Sequence, residues 1–313
     1  MSTPSLFSRS ARGSVSSIGE AELIRSIRRW LGRASPPAPA GIGDDCAVLR
    51  PARGRELLTV DPVVQGVHFD ARTPARAAGA KLLKRNLSDI AAMGGRPRAA
   101  VVALALDARV SLEWLEAFYR GMAVEGRRRG VPVVGGDVTL LPGSFVATLA
   151  LTGEAAGRIL TRAGSRVDDW IYVTGSLGRS RPTGHHYRFE PRLAEGAWLA
   201  RRRAVRAMID VSDGLAKDLA ALTPRGAAPA VYARWLPVRP GATVREALCD
   251  GEDYELAFSV AAGPGGAALE RAWRRAFPRT RLSRIGRFVR AGAVPAGALA
   301  LGGYRGYEHL RPA

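Results

Sequence analysis

Apolar and polar positions alternate along this chain in two rhythms, and the rhythm switches repeatedly. Residues 19–31 repeat at helical spacing: Leu23, Ile24, Ile27, Trp30 and Leu31 form one stripe, Glu20 and Glu22 favour the N-terminal end, and Gly32 can stop the helix. SPPAPAG then breaks regular structure, and CAVLR and ELLTV read as short strands. A second helix is predicted over 74–93, with Thr73 as N-cap, Pro74 at its first position and Gly94-Gly95 as its stop. AAVVALAL is a buried strand. SLEWLEAFYRGMAVEGRRRG is a helix with Leu112, Leu115, Phe118 and Met122 on one face, and VPVV and SFVATLALTG are strands.

The second half opens with DWIYVTGSLG, a strand running into a glycine turn. AVRAMIDVSDGLAKDLAAL is a strand feeding a helix that starts near Ser212 and Asp213. YELAFSV is a strand, AALERAWRRAF a helix and RLSRIGRFV a strand, with Trp170 and Trp198 assigned to the core. The fold class is therefore α/β (mixed α+β) in two domains, 18–153 and 154–313, preceded by a disordered tail, 1–17, that is rich in Ser and Arg. No internal repeat or coiled coil is visible.

Composition adds one question. The chain of 313 residues has a formal charge of +19, which ordinarily points to nucleic acid or an anionic membrane. Only Lys81, Lys84 and Lys217 among the 47 basic residues are lysines, and the arginines are scattered over helical faces. Aromatics are 7%, too sparse for the interleaved stacking platform of a nucleic-acid binder. A solvated basic surface is the preferred reading, so nucleic acid is not expected as a partner. No run has the length of a membrane span. Cys46 and Cys249 form neither a disulfide framework nor a zinc pattern, which suits a cytoplasmic protein.

Several chemistries are excluded by motif. None of the three lysines completes a P-loop, and no protein-kinase catalytic loop or nucleophile elbow is present. GIGDDC has Cys46 where a dinucleotide fingerprint needs its third glycine. What the chain has instead is acidic residues in short Gly- and Ser-punctuated segments: Asp44 and Asp45 in GIGDDCAV, Asp61 in TVDPVV, Asp89 in NLSDIAAMGG, Asp137 in VVGGDVT, Asp210 and Asp213 in IDVSDGL, and Glu252 and Asp253 in DGEDYEL. Most alone are ordinary turn chemistry; Asp89 is the exception, inside the predicted helix and three residues after Asn86. Together they suit a magnesium–polyphosphate site, because clustered carboxylates repel unless cations join them and magnesium prefers oxygen ligands shared with phosphates.

At these residues the sequence resembles the thiamine-monophosphate kinase family, within the superfamily of aminoimidazole ribonucleotide synthetase and selenophosphate synthetase. The matching stretches run in order: GIGDDCAVL, VDPVVQGVHF, KRNLSDIAAMGGRP, GGDVT, GRILTRAGSRVDDWIYVTGSLG, MIDVSDGLAKDL, GEDYELAF and GYEHL. The resemblance implies a two-domain aminoimidazole ribonucleotide synthetase-like fold, with the N-terminal sheet pairing across a homodimer. It implies ATP as co-substrate, several Mg2+ ions, and direct transfer of the γ-phosphoryl group to thiamine monophosphate. Asp45, Asp61, Asp89, Asp137, Asp210 and Asp213 look like magnesium ligands, with Thr59 and Val60 offering at most hydroxyl or backbone oxygens. Gly136, Asp137, Arg162 and Ser212 match ATP-contacting positions, and His68, Glu252 and Tyr307 substrate-contacting ones. Asp213 and Arg162 are the candidate catalytic pair; helix capping is the alternative role for Asp213, and a structural role between Val67 and Phe69 is the alternative for His68.

The chain departs from the family pattern in places. Val60-Asp61 replaces the usual T-D, the segment after Gly178 is shorter than in relatives, and GYEHL carries Glu308 and Leu310 where Asp and Phe are common. A selenophosphate synthetase would carry a reactive Cys or selenocysteine and a lysine near its N-terminus, and neither stands there. Another ATP-using enzyme of the superfamily is the nearest alternative, and a non-catalytic nucleic-acid binder a remote one.

Overall fold

The computed structural model describes residues 4–308. They form two compact units, one of residues up to Leu87 together with Arg96–Glu154, the other of Ser88–Gly95 together with the chain from Ala155 onward.

The first unit is a four-stranded sheet with helices. Its strands are β1 (Glu56–Val64), β2 (Gly95–Leu106), β3 (Val133–Leu140) and β4 (Phe145–Ala155), in the order β1-β4-β2-β3, each range as the strand itself runs. β1 and β4 are antiparallel; β2 and β3 are parallel, joined by α3 (Leu112–Arg129) as parallel strands require. Pro62 sits inside β1, where an edge strand can spare the missing N–H. The helix α1 spans Gly19–Leu31 and α2 Ala75–Ala92, close to their predicted limits. Ser111 caps α3 by accepting from the Trp114 amide, and Gly130 ends it in a left-handed conformation. Trp114, Phe118 and Phe145 pack edge-on or stacked, with centroids 4.9–5.4 Å apart. The helices α2 and α3 cross closely: a Cβ on Gly79 would lie 1.9 Å from the Phe118 carbonyl oxygen, and one on Gly121 2.0 Å from that of Arg76.

Two expectations are corrected here. CAVLR is not a strand: Val48 and Leu49 are exposed, because no neighbouring strand receives them. The tail is ordered from Leu6 onward; Met1–Thr3 lie outside the described residues. The Ser8 amide donates to Arg109 and the Val15 amide to Val110, while Val15 is buried. Ser14 and Ser17 hydroxyls close the tight turns that a polar segment would otherwise leave open.

The second unit is built on an antiparallel five-stranded sheet, β6-β8-β5-β9-β7, of β5 (Trp170–Thr174), β6 (Val205–Asp210), β7 (Ala227–Val231), β8 (Leu256–Val260) and β9 (Leu282–Arg290). One face packs Ile171, Ile209 and Ile285 against α6 (Leu215–Leu222) and α7 (Val244–Cys249). The other packs Tyr172, Met208 and Phe258 against α5 (Leu193–Leu199), α8 (Gly265–Ala276) and the end of α2. A four-residue helix, α4, spans His185–Arg188. Trp170 and Trp198 prove only half-buried; each lies under a guanidinium, Arg284 at 4.6 Å and Arg202 at 3.9 Å from the ring centroid.

Candidate active site

In the first unit the glycine-rich segments converge on one small cleft. It measures about 80 Å³ and is lined by Ile24 and Ile27 of α1, Ile42 of the GIGDDC segment, Tyr119, and Gly135–Val138 of β3. Gly136 and Asp137 face it exposed, so a ligand can reach their backbone and carboxylate. A Cβ at Gly136 would meet the Val102 carbonyl oxygen at 1.9 Å, so the parallel pairing of β2 and β3 demands glycine there. Asp45 is exposed on the loop that carries Ile42.

Strand alternation sorts the β1 candidates. Thr59 and Asp61 share the face of buried Leu57 and Val63, whereas Val60 points to the opposite face and is 60% exposed. Asp61 lies 3.4 Å from the Arg85 guanidinium of α2, which also donates to the Pro62 carbonyl at 2.6 Å. His68 is buried; its Nδ1 accepts from the Val64 amide at 3.1 Å, and its carbonyl accepts from Lys81 Nζ at 2.7 Å. That arrangement fixes the turn after β1.

In the second unit backbone hydrogen bonds zip two loops together. Val211 donates to the Glu255 carbonyl, Tyr254 to Val211 and Glu252 to Ser212, at 2.7–2.8 Å. Gly251 allows the approach: a Cβ there would stand 2.7 Å from the Ser212 oxygen. Glu252 and Tyr254 both adopt left-handed φ, 67° and 51°, a conformation uncommon for such residues and characteristic of functional loops. The C-terminal segment joins them, since the Tyr307 amide donates to the Asp213 carbonyl at 2.8 Å. Asp210, Ser212, Asp213, Glu252 and Tyr307 thus belong to one connected loop cluster. Arg162 is exposed on a segment that runs beside β6, where Thr161 accepts from the Met208 amide.

Electrostatics shape this cluster. Asp210 is buried and accepts from Ser88 Oγ at 2.8 Å, while Asp89, the next residue, is half-buried. Asp213 does not cap α6: Gly214 holds that position with no side-chain cap bond. Its carboxylate takes Lys217 Nζ at 2.7 Å, and its amide donates to Asp218 at 3.1 Å. Burial pushes the Asp218 carboxyl up to about 7. Glu252 meets Arg181 at 2.9 Å and His186 Nδ1 at 3.6 Å. Asp253 is fully buried between the Ser180 hydroxyl, the Gly178 amide and Arg239, and Arg192 holds Glu255 through two bonds of 2.6–2.7 Å. Ser88, Lys217, Arg181 and His186 were not singled out from sequence for these contacts, because their partners stand far off in the chain or, for Lys217, look like a routine helical pair.

Carboxylate oxygen is the donor that magnesium prefers, so the aspartates of each unit are chemically suited to it, and Asp61 and Asp213 each face a protein cation. Among the described residues no three His, Cys, Asp or Glu side chains gather into a group able to hold a metal ion.

Residues 43–159 match the family model "AIR synthase related protein, N-terminal domain". The thiamine-monophosphate kinase of Synechococcus elongatus is 32% identical over 290 residues, which is 82% of this chain and 86% of that one. The crystal structure of the thiamine-monophosphate kinase from Stenotrophomonas maltophilia superposes with TM-score 0.71 at 31% identity, covering 91% of this chain and 95% of that one. A ThiL complexed with AMPPCP and TMP gives TM-score 0.69 at 26% identity, covering 95% and 98%. With this identity over most of its length and a fold shared with these relatives, the chain belongs to the thiamine-monophosphate kinase family.

Proposed function

We propose that this protein transfers the γ-phosphoryl group of ATP to the phosphate of thiamine monophosphate, giving ADP and thiamine diphosphate. The observation that supports this most is the zipped loop cluster of the second unit, which joins Ser212, Asp213, Glu252 and Tyr307 by backbone hydrogen bonds of 2.7–2.8 Å directly after Asp210, the last residue of β6; all five are positions expected at a phosphoryl-transfer site. An acceptor phosphate is already anionic at neutral pH, so it needs alignment and charge neutralisation rather than a general base. One of its oxygens attacks the γ-phosphorus in line; the bond from that phosphorus to the β,γ-bridging oxygen breaks, and ADP leaves with the electron pair. Arg162, exposed beside β6, offsets negative charge that develops in the transfer.

Gly136, Asp137, Arg162 and Ser212 contact ATP in this proposal, and Glu252 and Tyr307, with His68 steadying the turn after β1, serve the acceptor. Asp45, Asp61, Asp89, Asp137, Asp210 and Asp213 would hold Mg2+, with oxygens from Thr59 and Val60. When bound, the metal supplies the positive charge that a P-loop lysine supplies elsewhere. The two free cysteines suit a reducing cytoplasm.

Purified protein incubated with ATP, Mg2+ and thiamine monophosphate should form thiamine diphosphate and ADP in equal amounts. ATP consumption with some other acceptor, and none with thiamine monophosphate, would instead favour a different member of the superfamily. Transfer from ATP chiral at the γ-phosphorus should invert configuration; retention would reveal a phospho-enzyme and overturn the direct step.

A further inference from the structure

Lys217 is one of three lysines in a chain that otherwise uses arginine for its cations. Its Nζ makes two bonds of 2.7 Å, one to Asp213 Oδ2 and one to the main-chain carbonyl of Tyr307. Those partners are 94 residues apart in the chain, and the Tyr307 amide closes the same junction by donating to the Asp213 carbonyl at 2.8 Å. Gly306 lets the segment lie this close, since a Cβ there would stand 2.4 Å from the Asp213 oxygen and 2.7 Å from Lys217 Cβ. A compact ammonium with rotatable donors suits two oxygens at once better than a planar guanidinium does.

We propose that Lys217 is a positioning residue that couples cation occupancy of Asp213 to the docking of the C-terminal segment 304–307. In this structure the ammonium neutralises Asp213 and clamps Tyr307. A divalent cation on Asp213 competes with that ammonium and repels it, so metal binding and clamping of the segment oppose each other. By linkage the antagonism is reciprocal: whatever strengthens the clamp weakens the metal by the same factor. The proposal rests on the reading of Asp213 as a metal ligand, and it explains why the helix after IDVSDGL places a lysine where an exposed, purely structural position would accept any polar residue.

The test uses the full chain without nucleotide and Mn2+ as the probe, with free Mn2+ followed by electron paramagnetic resonance. Lys217→Met should bind Mn2+ about two- to fivefold more tightly than wild type, the range expected for removing a half-exposed competing ion pair. Lys217→Arg should stay near wild type, because the competing charge remains. The gain in Lys217→Met should vanish in the Asp213→Asn background, where there is no carboxylate to contest. Hydrogen exchange supplies a readout independent of affinity: the Tyr307 amide should exchange faster on adding Mn2+ to wild type, and fast with or without Mn2+ in Lys217→Met. Unchanged or weaker Mn2+ binding by Lys217→Met, or a Tyr307 amide indifferent to Mn2+ in wild type, would overturn the coupling alone. No Mn2+ binding by wild type would overturn the metal reading beneath it, and the coupling with it.

Discussion

Of the six aspartates assigned to metal, Asp210 is the one its surroundings enclose, ending β6 with its carboxylate against Ser88 Oγ. Water screens a charge little at such a position, so a cation here would interact more strongly than at the exposed carboxylates. Asp210→Asn should stay folded by circular dichroism yet lose about 10²-fold or more in kcat at saturating ATP and acceptor; near-normal turnover would remove Asp210 from the metal site. IDVSDGL made Asp210 and Asp213 visible as candidates, since short acidic motifs are local. Ser88, 122 residues away, was not visible as a partner, because side-chain pairing at that distance is decided by the fold. The same holds for His185, whose partner stands 68 residues away in the chain. Its Nε2 faces the Asp253 carbonyl at 3.1 Å and so carries the proton, and burial, with Arg239 nearby, lowers its titration from 6.5 to about 4. The neutral ring is the form the fold accepts. Its contribution is therefore present above about pH 6.5 and lost as pH falls toward 4, by about 3 kcal/mol at most. Urea melts at pH 7.5 and pH 5.0 should show wild type losing more stability than His185→Gln between the two; an equal loss would mean the ring is not buried neutral.

At the scale of elements, the crossing of α2 and α3 depends on two glycines that each receive the other helix's backbone, Gly79 against Phe118 and Gly121 against Arg76. A methyl at either has no room unless the helices part, so Gly79→Ala or Gly121→Ala should cost about 1–3 kcal/mol in urea unfolding despite the better helix propensity of alanine. A gain in stability would show that the helices can separate freely. The long elements were legible because their patterns are strong: α1, α3, β4 and β9 stand close to where alternation or helical spacing put them. The short ones were not. β7 is AAPAV, three alanines and a proline on a sheet edge, with little β-forming character of its own. The helix α7 did carry a signal, the capping box of Thr243 and Glu246, but six residues give too little periodicity to notice.

For the whole molecule, the open face of the first sheet is unusual in leaving Leu58, Val60 and Val101 at least 41% exposed while alternate residues are buried. We propose that this face pairs with a second copy, the arrangement that the family resemblance implies. Light scattering at micromolar concentration should give the mass of a dimer, and Leu58→Asp with Val60→Asp should give a monomer; a monomeric wild type would contradict the assignment. No helix of the described residues is long and apolar enough to cross a membrane. The fold class was readable from the strand–helix rhythm, but not the partition of the chain, because Ser88–Gly95 looks like the ordinary end of a helix and yet packs with the later unit. Gly94 and Gly196 make that packing possible, a Cβ on Gly196 lying 2.1 Å from the Ala91 oxygen. This has a consequence in time. As the chain is synthesised, residues 88–95 emerge well before the strands they belong with, and they must wait for β6 and α5 to arrive. A gene fragment starting at Ala155 would lack them, leaving Leu199, Ala200 and Met208 without the apolar turn that covers them in the whole protein. The second unit cannot be cut out of this protein at a single point.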